Sequence, residues 1–374
     1  MWIKSIRYHN FRNIDDIEVI LEPGLNILFG DNGQGKTNFI EGVHLCLTGE
    51  TFRYGDNLDL IRSGQNQASV TLVTESKMLN EIKFSIEKAR KSHWLNGKKI
   101  STAQLSTQFP VVLFSPESLN SVKEGSAERR DLIDHFLLMC PDINYQRVFD
   151  DYTKILKSKN KVLKSFVNQV ISKEQAIHLL ESYETTFLNL ATELTIKRTQ
   201  GLCSLIEDFK NTAAHLYSKA AEISVEYLIS EKNALHYKPN QIFNMIKNRL
   251  YELKSAELAI GYSLVGPQKH DINFLVNNKS SRIFCSQGQQ RTLILAFKLA
   301  QMMYHSRVYG IVPILFLDDV LSELDSNTRG NLVKFLNKTE GQIFVTTTDK
   351  YLCRDLTGQK QRFVYVESGK FSFL

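Results

Sequence analysis

The residues with the clearest chemical capacity are Gly30-Asp31-Asn32-Gly33-Gln34-Gly35-Lys36-Thr37. This is the GxxxxGK[ST] pattern, and its chemistry is the cradling of a polyphosphate. Glycines let the backbone fold tightly, so several N–H groups converge on one anion. An apolar run, Leu25–Phe29, precedes the loop, and a helical pattern with Phe39, Ile40, Val43 and Leu47 follows it. The helix N-terminus adds a favourable dipole. Lys36 then reaches the β- and γ-phosphates, while the Thr37 hydroxyl ligates Mg²⁺. ATP and Mg²⁺ are the cofactors implied.

A second half of the site lies far along the chain. Ile314-Leu315-Phe316-Leu317-Asp318-Asp319 is an apolar strand ending in two carboxylates. It is expected directly beside the strand that feeds the phosphate loop, with Asp318 on the metal and Asp319 placed to polarise an attacking water. Upstream, Ser286-Gln287-Gly288-Gln289-Gln290-Arg291 opens an apolar-periodic helix predicted over Gln289–Tyr304, with Ser286 as a good N-cap. Signature, helix, Asp-Asp strand, then Ser322-Glu323-Leu324-Asp325 is the element order of the ABC ATPases. In that class the signature serves a nucleotide held by another copy: Ser286, Gly288, Gln289 and the helix dipole face its γ-phosphate, so that ATP joins two subunits.

The elements that must position these groups fall into three stretches. Up to about Gly125, Ser69–Val73 and Ile82–Ile86 alternate with period two, and Asn96-Gly97 predicts a type I′ hairpin. From Asp142 to Lys238 there is no proline and one glycine, Gly201, and apolar residues recur every three or four, as at Ile155, Leu156, Val162, Leu163 and Phe166. After Gly261 strands and a long helix alternate again. The expectation is an α/β fold: an ABC-type P-loop ATPase head split in sequence (1–135 and 259–374) with an all-helical arm inserted at 136–258.

Length and composition agree with this reading. The 374 residues are 43% hydrophobic and 23% charged, which excludes disordered, collagenous and disulfide-stapled classes. The longest apolar run, Ile311–Leu317, is too short to cross a membrane and contains Pro313. The N-terminus alternates like a strand and has no signal-peptide core, so a cytoplasmic location is expected. Five scattered cysteines show no metal-ligand spacing. A net charge of +6 permits a nucleic-acid partner without establishing one.

Taken together, these motifs resemble the RecF family of bacterial recombinational-repair ATPases, relatives of the SMC heads. The opening Tyr8-His9-Asn10-Phe11-Arg12-Asn13 is similar to the family's first strand and N-F-R-N turn, which adds Arg12 to the nucleotide-contacting set. Phe114-Ser115-Pro116-Glu117, Glu128-Arg129-Arg130 and Gly266-Pro267 also fit. The resemblance implies a slow, DNA-stimulated ATPase that forms a homodimer with ATP on DNA (duplex, single strand or their junction). It also implies recombinase loading, support of the SOS response and partners of the RecR and RecO type. The chain departs from the wider ABC pattern in three places. It reads Cys285-Ser286-Gln287-Gly288-Gln289 against L-S-G-G-Q, it has Asp319 where a glutamate is usual, and Thr347 stands at the switch histidine.

Within the predicted arm, Lys154, Lys157, Lys161 and Lys164 share one helix face, with Lys159 nearby and no acid between Asp151 and Glu174. Such a stripe suits sequence-independent phosphate contacts. Arg53, Arg62, Lys88, Arg90 and Lys91 form a second basic group. The alternatives are a transporter ATPase subunit, which predicts a shorter chain, and a scaffold that binds ATP without hydrolysing it.

Overall fold

The computed structural model describes residues 1–373 except positions 54, 77, 120, 121, 142, 143, 218–220, 358 and 359. The chain divides into two compact units: 1–120, 208–221 and 286–374 form the first, and 121–207 with 222–285 the second. Strands and helices are labelled in chain order. These units divide the chain at other positions than the expected head and arm: 121–135 and 259–285 fall in the second unit, and 208–221 in the first.

The first unit holds two sheets. One is an antiparallel lobe in the order β2 (Ile17–Ile20), β1 (Trp2–His9), β4 (Gln67–Glu75), β5 (Leu79–Glu87), β6 (Arg90–Leu95) and β7 (Lys98–Lys99). Its strands alternate buried and exposed residues, as a one-sided sheet must. The β6–β7 turn places Asn96 and Gly97 at φ 50° and 75°, the expected type I′ conformation. The other sheet runs β16 (Lys370–Phe373), β15 (Gln361–Glu367), β3 (Leu25–Phe29), β14 (Ile343–Thr347), β13 (Ile314–Asp318) and β8 (Val111–Phe114), parallel except for β16. Every residue of β3, β13 and β14 is buried, the pattern of strands covered on both faces.

Helix α1 (Lys36–Thr48) packs against strands of both sheets, and Phe39, Ile40 and Val43 join their cores. Also in this unit are α2 (Thr102–Gln108), α3 (Pro116–Leu119), α9 (Gln287–Tyr309), α10 (Val320–Glu323) and α11 (Ser326–Asn337). The strand order corrects one expectation. The carboxylate strand β13 does not touch the phosphate-loop strand β3; β14 lies between them and pairs with both.

The second unit is built on α4 (Ser126–Met139), α5 (Tyr145–Val167), most of α6 (Lys173–Leu216), α7 (Pro239–Ile260) and the short α8 (Ser281–Phe284). It is not all-helical. Strands β10 (Lys232–Asn233), β9 (Ile223–Ile229), β11 (Asp271–Val276) and β12 (Lys279–Ser280) form an antiparallel sheet in that order. Ile223, Val225, Tyr227 and Ile229 bury one face of β9, a period of two that overrides the helical surroundings.

Two motif fragments that stand apart in the sequence meet in this unit. Arg129 makes a bidentate pair with Asp271 at 2.8 and 2.9 Å, and Arg130 Nη1 donates to His270 O at 2.6 Å. Buried Arg198 grips Asp134 at 2.6 and 2.7 Å and donates to Pro267 O at 2.9 Å. His270 sits among these cations, hydrogen-bonded to Tyr227, and burial with Arg198 and Arg130 pushes its pKa down to about 3. The unfolded chain protonates this histidine near pH ~6.5, whereas the folded chain resists until about 3, so stability falls as pH drops through that window. Between pH 7 and 5 the histidine should account for about 2 kcal/mol of lost stability. Urea denaturation of His270→Gln should show the acid-induced loss shrinking by that amount; an unchanged loss would assign it elsewhere.

Candidate nucleotide site

The phosphate loop joins β3 to α1. Gly30, Gly33 and Gly35 adopt φ of 151°, 78° and 114°. Gly30 is also sterically required, since a Cβ there would lie 2.2 Å from the backbone oxygen of Val366; one on Gly35 would lie 2.8 Å from the Asn13 side-chain oxygen. Helix α1 begins at Lys36 with no side-chain cap and no acid in its first turn, so its leading amides remain available to an anion. Lys36 Nζ lies back over the loop, donating to Gly30 O at 2.6 Å and Asp31 O at 2.7 Å. Burial pulls its pKa below the ordinary lysine value, and Asp319, Asp318 and Asp31 oppose that pull.

The two halves of the site converge at the C-terminal ends of the parallel strands. Thr37 Oγ1 donates to Asp318 Oδ1 at 3.0 Å although the residues are 281 positions apart. Thr346, on the intervening β14 and in register with Asp318, donates to the same oxygen at 2.6 Å and accepts from Asp319 N at 2.9 Å. A hydroxyl and a carboxylate at this spacing fit Mg²⁺, which takes few protein oxygens and completes its shell with phosphates and water. Asp319 sits in the left-handed region at φ 53°, just past the strand. The single Ser322 hydroxyl proton is shared between Asp319 O at 2.7 Å and Asp319 Oδ1 at 2.9 Å, and among the described residues Oδ2 has no hydrogen-bond donor.

The N-F-R-N turn is hooked onto the loop. Asn13 Nδ2 donates to Gln34 O at 3.2 Å, and Asn38 Nδ2 donates to Asn13 Oδ1 at 2.8 Å. Arg12 itself is held by the fully buried Glu41, through Nε at 2.9 Å and Nη2 at 2.8 Å. Thr51 also donates to Glu41, and Arg53 reaches both it (3.8 Å) and Asn38 Oδ1 (2.8 Å). Arg53 therefore belongs to this cluster beside the loop rather than to an open basic surface. Arg62 is likewise engaged, by Asp15. On the other side, the turn between β15 and β16 grips Gln34: Ser368 N donates to Oε1 at 2.7 Å and Gly369 N to Gln34 O at 2.8 Å. Asn32 and Gly33 lie between these anchored residues.

Sequence reasoning missed Glu41, Thr346 and this C-terminal turn. Glu41 had a visible signal, a carboxylate inside an apolar helix. Thr347, expected at the switch position, bonds within its own turn, donating to Asp349 O at 3.2 Å and accepting from Asp349 N at 3.1 Å. The side chain of Glu117 lies outside the described residues.

Ser286, Gly288 and Gln289 lie at the exposed start of α9. Ser286 Oγ accepts from Gln289 N at 3.3 Å, and Gln289 Oε1 accepts from Ser286 N at 2.9 Å, a capping box. Gly288 is different. A Cβ there would have only Ser286 Oγ within reach, at 4.0 Å, so the chain's own packing does not call for glycine. In a helix glycine costs about 1 kcal/mol relative to alanine. Arg291 ties the helix to Glu323, 2.7 Å from its carboxylate.

A phosphate loop, an Asp-Asp strand one strand away and a capped signature helix define the head of an ABC-type ATPase. Residues 2–370 match the family model described as RecF/RecN/SMC N terminal domain. The chain belongs to the RecF family. Among curated relatives, DNA replication and repair protein RecF of Desulforamulus reducens is 32% identical, over 93% of this chain and 92% of its own. That of Clostridium botulinum is 31% identical over 99% of both. Two solved structures of the recombination mediator RecF in the RecFOR pathway, with ATPrS and with ATP, superpose with TM-scores of 0.87 and 0.85. Each is 28% identical, and both alignments cover all of this chain and 98% and 97% of theirs. An Smc head from Pyrococcus furiosus, at 15% identity and TM-score 0.58, shares the fold.

Proposed function

We propose that this chain is an ATP-gated DNA-binding switch of recombinational repair. ATP lies on the phosphate loop, with Lys36 at its β- and γ-phosphates and Arg12 beside it. Mg²⁺ held by Thr37 and Asp318 would neutralise charge on the phosphates. Asp319 accepts the proton of the attacking water through Oδ2, while the Ser322 hydroxyl lies against its carbonyl and Oδ1 and holds the residue in place. Ser286, Gly288 and Gln289 contact the γ-phosphate held by a second copy, so ATP closes a homodimer on DNA at gaps or junctions and slow hydrolysis reopens it. Recombinase loading, the SOS response and mediators of the RecR and RecO type are part of the same proposal, supported by the family resemblance.

One observation carries the catalytic part: the Thr37–Asp318 contact, which joins two motifs from opposite ends of the chain. The exposed Gly288, with no packing reason of its own, supports the contact between copies. The test is DNA binding across a range of salt, with and without ATP, on duplex, single strand and gapped junction. ATP should strengthen binding, and DNA should stimulate phosphate release. Equal binding without nucleotide would overturn the gate, and no phosphate release with or without DNA would favour a scaffold.

A further inference from the structure

Helix α5 exposes Lys154, Lys157, Lys161 and Lys164 along one side. Lys159 does not belong with them: it is buried, 2.8 Å from Glu257, and donates to Ser263 Oγ at 3.0 Å. The acids around this part of the unit have partners other than Lys157, Lys161 and Lys164. Asp151 lies 3.4 Å from Lys154 and 3.8 Å from Arg147. Glu181 pairs with Lys254 at 3.2 Å, and Glu184 accepts from Tyr251 at 2.9 Å. Lys157, Lys161 and Lys164 have no acidic partner among the described residues.

The loop between α7 and β11 lies along the same helix. A Cβ on Gly261 would meet Val167 at 3.1 Å and the Lys164 Cα at 3.8 Å, and Ser263 N donates to Asn160 Oδ1 at 2.7 Å. The Arg198, Arg130 and Lys159 bonds described above hold the loop's later residues in place. On this fixed support Lys269 Nζ stands 5.4 Å over the ring of Tyr262, which is 47% exposed. The cation–π contact keeps an otherwise mobile lysine near the α5 face.

We propose that Lys157, Lys161 and Lys164, continued by Tyr262 and Lys269, form the surface on which this unit holds the phosphate backbone of duplex DNA. The assignment rests on the DNA-binding reading above and adds its location. From Lys157 to Lys164 the helix advances about 10 Å, over which a duplex carries about six phosphates. Lysines without acidic partners release condensed counterions when they meet such a backbone, and this favours binding without reading sequence.

The full-length protein with ATP is titrated against a fluorescent random-sequence duplex over a range of salt. Lys157→Ala/Lys161→Ala/Lys164→Ala should reduce the slope of log K against log salt by about 2.7, roughly 0.9 per phosphate, and weaken binding at least ~10-fold at physiological salt. Adding Lys269→Ala should remove about one more slope unit. ATP affinity should not change, since none of these residues touches the phosphate loop. A matched triple, Lys83→Ala/Lys98→Ala/Lys99→Ala on the antiparallel lobe, removes the same charge from exposed positions and should leave the slope as it was. An unchanged slope in the α5 triple, or an equal fall in the lobe triple, overturns the location. A parent protein that binds no DNA overturns the underlying reading instead.

Discussion

Asp318→Asn is expected to bind ATP within a few-fold of the parent and to lose hydrolysis by at least ~100-fold. The carboxylate oxygen Oδ1 receives both Thr37 and Thr346 hydroxyls, and the carboxylate is the group proposed to hold the metal. Asparagine keeps an acceptor of the same shape for the two hydroxyls and removes only the charge, so the local fold should survive. The loss should be larger at low Mg²⁺ and partly relieved at high Mg²⁺, a dependence that a packing defect would not produce. Phosphate release across a Mg²⁺ titration, beside binding of a fluorescent ATP analogue, measures both. Parent-like hydrolysis in Asp318→Asn would remove Asp318 from the reaction.

Ser286→Arg should abolish ATP-dependent dimerisation at micromolar concentration, weakening the dimer by at least ~100-fold, while each monomer still binds ATP. The bulky cation would occupy the space the partner's nucleotide needs. Because Ser286 also caps α9, part of any effect comes from losing the cap, worth ~1 kcal/mol. Ser286→Asp separates the two causes. Aspartate is an equally good cap, yet it sets a negative charge against the incoming γ-phosphate, so it too should prevent association. Analytical ultracentrifugation with ATP reads the result; a Ser286→Asp protein that dimerises fully would leave the signature without a role between copies.

What the sequence made legible divides along physical lines. The phosphate loop, the N-cap at Ser286 and the Asn96-Gly97 turn are local: residue type and spacing determine their conformation, and all three stand as expected. Sheet order is not local. The apolar run of β13 says that it is buried, but not that β14 separates it from β3, since pairing is settled by long-range packing. Thr346 was hidden for the same reason, as one of three successive threonines whose roles depend on register. The sheet in the second unit was missed although β9 alternates visibly, because seven residues amid long helices are easily read at the wrong period. Lys159 was grouped with its neighbours by proximity, when its offset from the 3, 4, 3 spacing already set it on the buried side.

The C-terminal turn on Gln34 has a consequence for how the molecule is made. Strand β3 and the phosphate loop are synthesised early, yet both strands that flank β3, and the turn that fastens Gln34, come from the last stretch of the chain. Until β14 and β15 are made the loop's strand lacks its sheet neighbours on either side, and until Ser368 and Gly369 follow them it lacks one wall of its cradle. A nascent or prematurely terminated chain thus carries the full phosphate-loop sequence without its working shape. A chain cut before β14 is therefore expected to bind ATP poorly, which a fluorescent ATP analogue would measure beside the full-length protein.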